Sequence, residues 1–223
     1  MPKKPVIFLT FANDLNGKFL EALKSEQDEL QSTFIPYMQN GMGICYTAAT
    51  SEPKNLIRDL NKYKDQLIIF HFSGHNDGVK LQFADQKGNA LPFHKSGLQA
   101  FLASEKNLKL VFLNGCATEN HVKTLQESGI PAVIATSMRV SDTIAKDFSI
   151  TFYDSLVAGN TLQQSFLKAK TTIDPVDVNE GIFRGFHLKA KGGESTLLAW
   201  GLYIQNETIL NWKLTNSIPH SEH

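Results

Sequence analysis

The sequence predicts an α/β fold: a mostly parallel central sheet with helices on both faces and a terminal strand pair. Two observations carry this. Short runs of β-branched and aromatic residues, apolar without alternation and bounded by turn formers, mark strands buried on both faces. Between them lie stretches whose apolar residues recur at helical spacing, and a strand-helix alternation is what parallel pairing needs for its crossovers. At 223 residues the chain suits one core. We place the domain at residues 1–216 and a frayed tail at 217–223.

The elements follow in order. Val6 to Ala12 is the first strand and ends in the turn formers Asn13-Asp14. From Gly17, the residues Phe19, Leu20, Leu23 and Leu30 give an amphipathic helix to about Gln31. Ile44 to Thr47 is a short second strand, and Ser51-Glu52-Pro53 is a helix start ahead of Leu56, Ile57 and Leu60. Leu67 to Phe72 forms the third strand, ending at Ser73-Gly74-His75. The alternation from Val79 to Ala84, meeting Asp85 to Asn89, predicts a hairpin at the rim.

A helix is expected around Ser96 to Ala103, then a buried strand over Leu110 to Leu113 that stops at Asn114-Gly115-Cys116. Ala132 to Thr136 is the next strand. Helices follow over Ser141 to Val157, closed by Gly159, and over Thr161 to about Ile173. Asp174 to Ser195 lacks periodicity and is expected to be a loop, of the length that is usually functional. Thr196 to Ile204 and Ile209 to Leu214 are expected to pair across Asn206-Glu207.

Composition removes several function classes. Lysine plus arginine and aspartate plus glutamate number 22 each, so the chain has no net charge to draw it to phosphate, and no direct nucleic-acid partner is expected. The apolar run after the N-terminal lysines is too short for a membrane span, and no membrane partner is expected. Cys45 and Cys116 are the two cysteines. They are too few for a disulfide framework and suit a reducing cytoplasm. Neither lies in a CxxC pair, so no metal site is expected. Gly41-Met42-Gly43 lacks the phosphate-loop lysine, which argues against a nucleotide cradle.

Ligands of open α/β sheets gather at the carboxyl ends of the strands. Three such ends carry reactive or polar groups: Asn13-Asp14, His75 and Cys116. If the third and fourth long strands are neighbours, their tips are about 5 Å apart, within reach of an imidazole-thiol pair. The thiolate is the nucleophile, and a histidine stabilises it or removes the proton. Gly115 leaves room for a substrate backbone, and turn amides past the strand can hold an oxyanion. Blander assignments stand beside these. Cys116 alone could be a small buried hydrophobe, and His75 a loop histidine. His71 belongs inside a strand as a core residue or a support behind the site rather than a catalyst, Cys45 reads as packing, and His121 as a solvated helix histidine. Asp142 has two readings, orienting the cleft or serving, like Ser141, as a helix N-cap.

Phe70-His71-Phe72-Ser73-Gly74-His75 and Leu110 to Glu119 together resemble the paired histidine and cysteine motifs of the CHAT branch of caspase-like peptidases. Gly129 to Ser137 and Phe152 to Leu162 resemble the segments that follow in that family, in the same order. The resemblance implies a caspase-like three-layer sandwich and a cysteine endopeptidase needing no cofactor. It makes Cys116 the nucleophile and His75 the general base and acid, with the oxyanion held by the N–H groups of Cys116 and Asn76. Many relatives have glycine where Asn76 stands. The pocket for the residue before the cut would be lined by Asn13, Asp14, Asn114, Ser137, Met138 and Arg139. Relatives that cut after basic residues commonly carry aspartate where this chain has Asn114, so the preferred residue stays open.

The resemblance further implies a protein or peptide substrate, docked as an extended strand. It also implies a sensor or ATPase module, in cis or in trans, of a bacterial defence or cell-death system. The loop over Asp174 to Ser195 is then the segment expected to order on activation. Two other functions fit the same fold class: a caspase-like interaction module without turnover, and a nucleotide-processing domain.

Overall fold

The computed structural model describes residues 3–12, 21–48, 53–74, 82–84, 90–92, 95–115, 118–136, 140–173, 182–184 and 200–217. In chain order these hold β1 (Val6–Ala12), α1 (Glu21–Thr33), α2 (Ile35–Gln39), β2 (Ile44–Thr47), α3 (Pro53–Lys62) and β3 (Leu67–Gly74). There follow β4 (Gln82–Ala84), β5 (Ala90–Pro92), α4 (Lys95–Ser104), β6 (Leu110–Asn114) and α5 (Val122–Glu127). Last come β7 (Ala132–Thr136), α6 (Asp142–Val157), α7 (Leu162–Ile173), β8 (Ile182–Arg184) and β9 (Trp200–Ile204).

Seven strands make one sheet in the order β2-β1-β3-β6-β7-β9-β8. The first five are mutually parallel; β9 runs antiparallel to β7, and β8 is parallel to β9. The central strands are apolar on both faces because both are covered: β3, β6 and β7 are buried throughout. Edge strand β2 is only half-buried. Along β1, Ile7 and Leu9 join the core beneath α1, α6 and α7, whereas Phe8 joins the core beneath α3, α4 and α5. This alternation is the strand period of two read out as two helix layers.

The topology fixes which helix covers which face. From β1 the chain moves outward to β2 through α1, then reverses across β1 to β3 through α3. Right-handed crossovers in opposite directions put those helices on opposite faces. The sheet therefore parts its connections at the tips of β1 and β3, where open α/β sheets have their crevice. Gly74 closes β3 at that point. A Cβ there would lie 2.7 Å from the Ala12 carbonyl oxygen and 2.9 Å from the Ala12 Cβ. The two tips thus approach closer than any side chain at position 74 permits, as the Ser73-Gly74 pair suggests.

Helix α6 starts at Ser141, whose side chain accepts the Ile144 amide at 3.3 Å, and gives way to Gly159 at φ +89°. Its inward face carries Phe148, Phe152 and Tyr153, all fully buried. Phe148 stacks on Trp200 with ring centroids 4.4 Å apart and planes within 9°.

Three expectations need correction. The stretch over Asp174 to Ser195 is not wholly a loop, since β8 lies inside it and pairs with β9. The terminal strand pair is therefore β8 with β9. Residues 209–214 do not supply its second strand: 207–211 and 214–217 are short 3₁₀ turns. The reason is local. Asn206 caps the first turn by accepting the Thr208 amide at 2.9 Å, and Trp212 and Leu214 are drawn into the core beside α7. His121 is not solvated; it ends a 3₁₀ turn, Thr118–His121, and is 7 % exposed. The hairpin exists as β4 with β5, a separate antiparallel pair.

Two measurements test this packing. Phe148→Ala is expected to cost about 3–5 kcal/mol in chemical denaturation, by removing a ring stacked inside the core. Burial holds the carboxyl of Glu105 above its ordinary value of 4.5, against the pull of the Asp65 amide that donates to it. The native chain then keeps this proton to higher pH than the unfolded chain does. The associated stability is full below 4.5 and is lost as pH rises through the native value. Glu105→Gln removes that loss, so the melting temperature of the variant relative to the parent should rise from pH 4 to pH 7.

Candidate active site at the strand tips

Strands β3 and β6 are parallel neighbours in the register Ile69↔Leu110 to Ser73↔Asn114. The adjacency that the histidine and cysteine motifs require is therefore present. His75 and Cys116 each follow two residues after the paired Ser73 and Asn114. His75, Asn76, Cys116, Asn13, Asp14, Ser137, Met138 and Arg139 lie outside the described residues. The strand ends that precede them, on β1, β3, β6 and β7, are among the described residues.

On the face of α1 and α6, this frame is organised by a carboxylate that the sequence reading passed over. Glu26 is 2 % exposed. Its Oε2 accepts the Ser73 hydroxyl at 2.6 Å, and its Oε1 accepts the Asn114 amide at 2.8 Å and the Ser149 hydroxyl at 2.5 Å. Asn114 Nδ2 also donates to the Ala145 carbonyl at 3.0 Å. Beneath them, His71 is fully buried. Its Nδ1 lies 3.1 Å from the Tyr153 hydroxyl, and its Nε2 3.6 Å from Glu26 Oε1, ion-pair range but beyond a hydrogen bond. Phe11, Phe112 and Tyr153 surround the imidazole, so His71 is the core residue expected. Burial, then the Glu26 charge, push the Tyr153 hydroxyl far above the ordinary tyrosine value, which keeps its proton in place.

A second set of bonds holds the chain on either side of Cys116. Thr136 Oγ1 donates to the Gly115 carbonyl, the Thr136 amide donates to Thr118 Oγ1 at 2.8 Å, and Thr118 Oγ1 donates to the Leu113 carbonyl at 3.0 Å. Residues 115 and 118 are thereby tied to the end of β7. A cavity of about 40 Å³ opens among the tips, lined by Glu26, Ser73, Gly74, Asn114, Asp142, Ala145 and neighbouring small residues. Asn114 is one of the residues lining this cavity. The described lining holds two carboxylates, Glu26 and Asp142, and no lysine, arginine or histidine.

Glu26 had a signal in the sequence. It falls between Leu23 and Leu30 at helical spacing, an acid on the apolar stripe of α1. Ser73 and Ser149 had none, since short hydroxyl side chains occur at any depth. Cys45 lies on edge strand β2, half-buried against the core, and burial pushes its thiol up to about 12. Among the described residues no cluster of three or more histidine, cysteine or acidic side chains could hold a metal ion, and no helix is long and apolar enough to cross a membrane.

Solved cysteine proteases share this parallel-centred α/β fold. The structure superposes on the Drosophila initiator caspase Dronc with a TM-score of 0.54 at 10 % identity, covering 99 % of this chain and 85 % of that one. A secreted C11 cysteine protease from Bacteroides thetaiotaomicron gives 0.53 at 10 % identity over 77 % of this chain. The Arg-specific cysteine proteinase gingipain R gives 0.52 at 12 % identity over 95 %. The chain spans 59 % of the C11 protease and 48 % of gingipain R. At such identities the likeness is one of fold. The sequence itself matches the CHAT domain model over residues 7–214, and the chain belongs to that family. No curated protein sequence matches it.

Two outcomes follow from the site's frame. Asn114→Leu takes a donor from a buried carboxylate, and is expected to lower the unfolding free energy by about 2 kcal/mol in urea titration. With its thiol pushed up to about 12, Cys45 should react with iodoacetamide at pH 8 about a hundredfold or more slower than free cysteine, followed by peptide-resolved mass spectrometry.

Proposed function

We propose that this CHAT domain is a cysteine endopeptidase that cuts a protein substrate with a dyad of Cys116 and His75. The observation that carries the reading is the parallel pairing of β3 with β6, with Ser73 opposite Asn114. It brings the two motif-bearing chain segments off neighbouring strand ends, about 5 Å apart in the pairing direction. The family supports it too, because the histidine and cysteine motifs occur within the matched residues 7–214.

In this reading His75 takes the proton of Cys116, and the sulfur attacks the carbonyl carbon of the scissile bond. The N–H groups of Cys116 and Asn76 hold the oxyanion of the tetrahedral intermediate. As that intermediate collapses, the C–N bond breaks and His75 gives its proton to the departing amine, leaving a thioester. Water then gives a proton to His75 and attacks the thioester carbonyl. The C–S bond breaks and the acid product leaves with the thiol restored. Asn13, Asp14, Asn114 and the segment Ser137, Met138, Arg139 would receive the side chain before the cut. A sensor or ATPase module, in cis or in trans, would govern the domain within a bacterial defence or cell-death system.

The test is a comparison of new peptide termini in a bacterial proteome exposed to the parent chain, Cys116→Ala or His75→Ala. New termini should appear with the parent, vanish with Cys116→Ala and fall by at least about 100-fold with His75→Ala. Termini that persist with Cys116→Ala would refute the assignment of the nucleophile. Failure of a peptide acyloxymethyl ketone to label Cys116, with or without a candidate module, would favour an interaction module without turnover.

A further inference from the structure

We infer that Glu26 is a positioning residue for the dyad, acting through Ser73 and Asn114. The inference rests on the proposed roles of His75 and Cys116. One oxygen of the carboxylate takes the hydroxyl of Ser73 on β3 and the other takes the amide of Asn114 on β6. These two residues are register partners, and each stands two positions before a dyad member. A single buried group therefore grips both strand ends at their last paired rung.

The choice of residue argues for this purpose. The other positions on the stripe, Leu23, Leu30 and Phe34, are apolar and buried, so a carboxylate at 26 departs from the pattern of its own helix face. Burying a carboxylate is a poor way to gain stability even when it is well bonded. What it adds is directional geometry, since each bond fixes a distance and an angle that apolar contacts leave loose. Ser149 supplies a third donor from α6, so α1, α6, β3 and β6 converge on one group. For a pair that must exchange a proton, a misplacement of about 1 Å can cost on the order of 100-fold in rate.

The pH profile of Cys116 alkylation by iodoacetamide reads the pairing of thiol and imidazole directly. It should be followed at the Cys116 peptide in the intact chain, together with the melting temperature. The parent profile should depend on His75, shifting upward in His75→Ala. Glu26→Gln keeps the shape of the side chain and removes its charge. It should raise the apparent thiol pKa by about one unit, slowing alkylation about tenfold below neutral pH. Ser73→Ala should move it the same way by a smaller amount, and decides the matter if Glu26→Gln does not fold. Leu60→Ala, in the core on the opposite face of the sheet, should lower the melting temperature and leave the profile in place.

A parent-like profile in Glu26→Gln or, where that variant is unfolded, in Ser73→Ala, with the His75 dependence intact, would overturn the positioning role alone. An equal shift in Leu60→Ala would overturn it also, by showing the profile to follow stability. A profile unchanged by His75→Ala would remove the dyad reading itself and the positioning role with it.

Discussion

A carboxylate taken out of water must find donors inside the protein, and the placement of Glu26 makes those donors come from both central strands and from α6. Much else in the molecule is arranged to allow it. Helix α1 must cover the face on which Ser73 and Asn114 meet Glu26, and the right-handed crossover from β1 to β2 sets that face. Helix α6 must lie on the same face, and its Ser149 reaches Glu26 there. Ser73 and Asn114 must stand opposite each other, which the parallel register provides. A shift of one residue in that register would turn one donor to the other face of the sheet and break the grip.

The strands were the most legible part of the sequence, for a physical reason. Leu67 to Phe72 and Leu110 to Leu113 are buried on both faces, so their apolar character is continuous and needs no partner to be recognised. The chain end was less legible. Ile209, Trp212 and Leu214 look like strand residues by composition, but hydrogen bonding by Asn206 and packing against α7 decide their conformation. Neither is visible in a local pattern. The three residues of β8 were missed because so short a run has no period of its own; its pairing with β9 defines it.

The site divides the same way. His71 was legible as a core residue from its place inside a strand, and the close approach at Gly74 from the residues around it. The two motifs named the strand ends that the register brings together. Glu26 could have been found as an acid on an apolar stripe. Its partners could not, because their partnership is made by the crossing of α1 over two strands far apart in sequence. The likeness to Dronc, the C11 protease and gingipain R at 10 to 12 % identity belongs to the same lesson. Layer order and strand direction rest on the apolar pattern and on the handedness of the crossovers, and both tolerate extensive replacement of side chains.

Helix α6 has a property that comes from two consecutive residues. Phe148 lies flat on Trp200 of β9, and Ser149 reaches Glu26. Adjacent positions on a helix point about 100° apart, so the helix cannot roll about its axis to improve one contact without spoiling the other. The rotation of α6 is locked from two directions, and one lock sits on the strand nearest the carboxyl end of the chain. A fragment ending before Trp200 would retain every strand tip of the cleft yet lose the bearing surface against which its roofing helix is set.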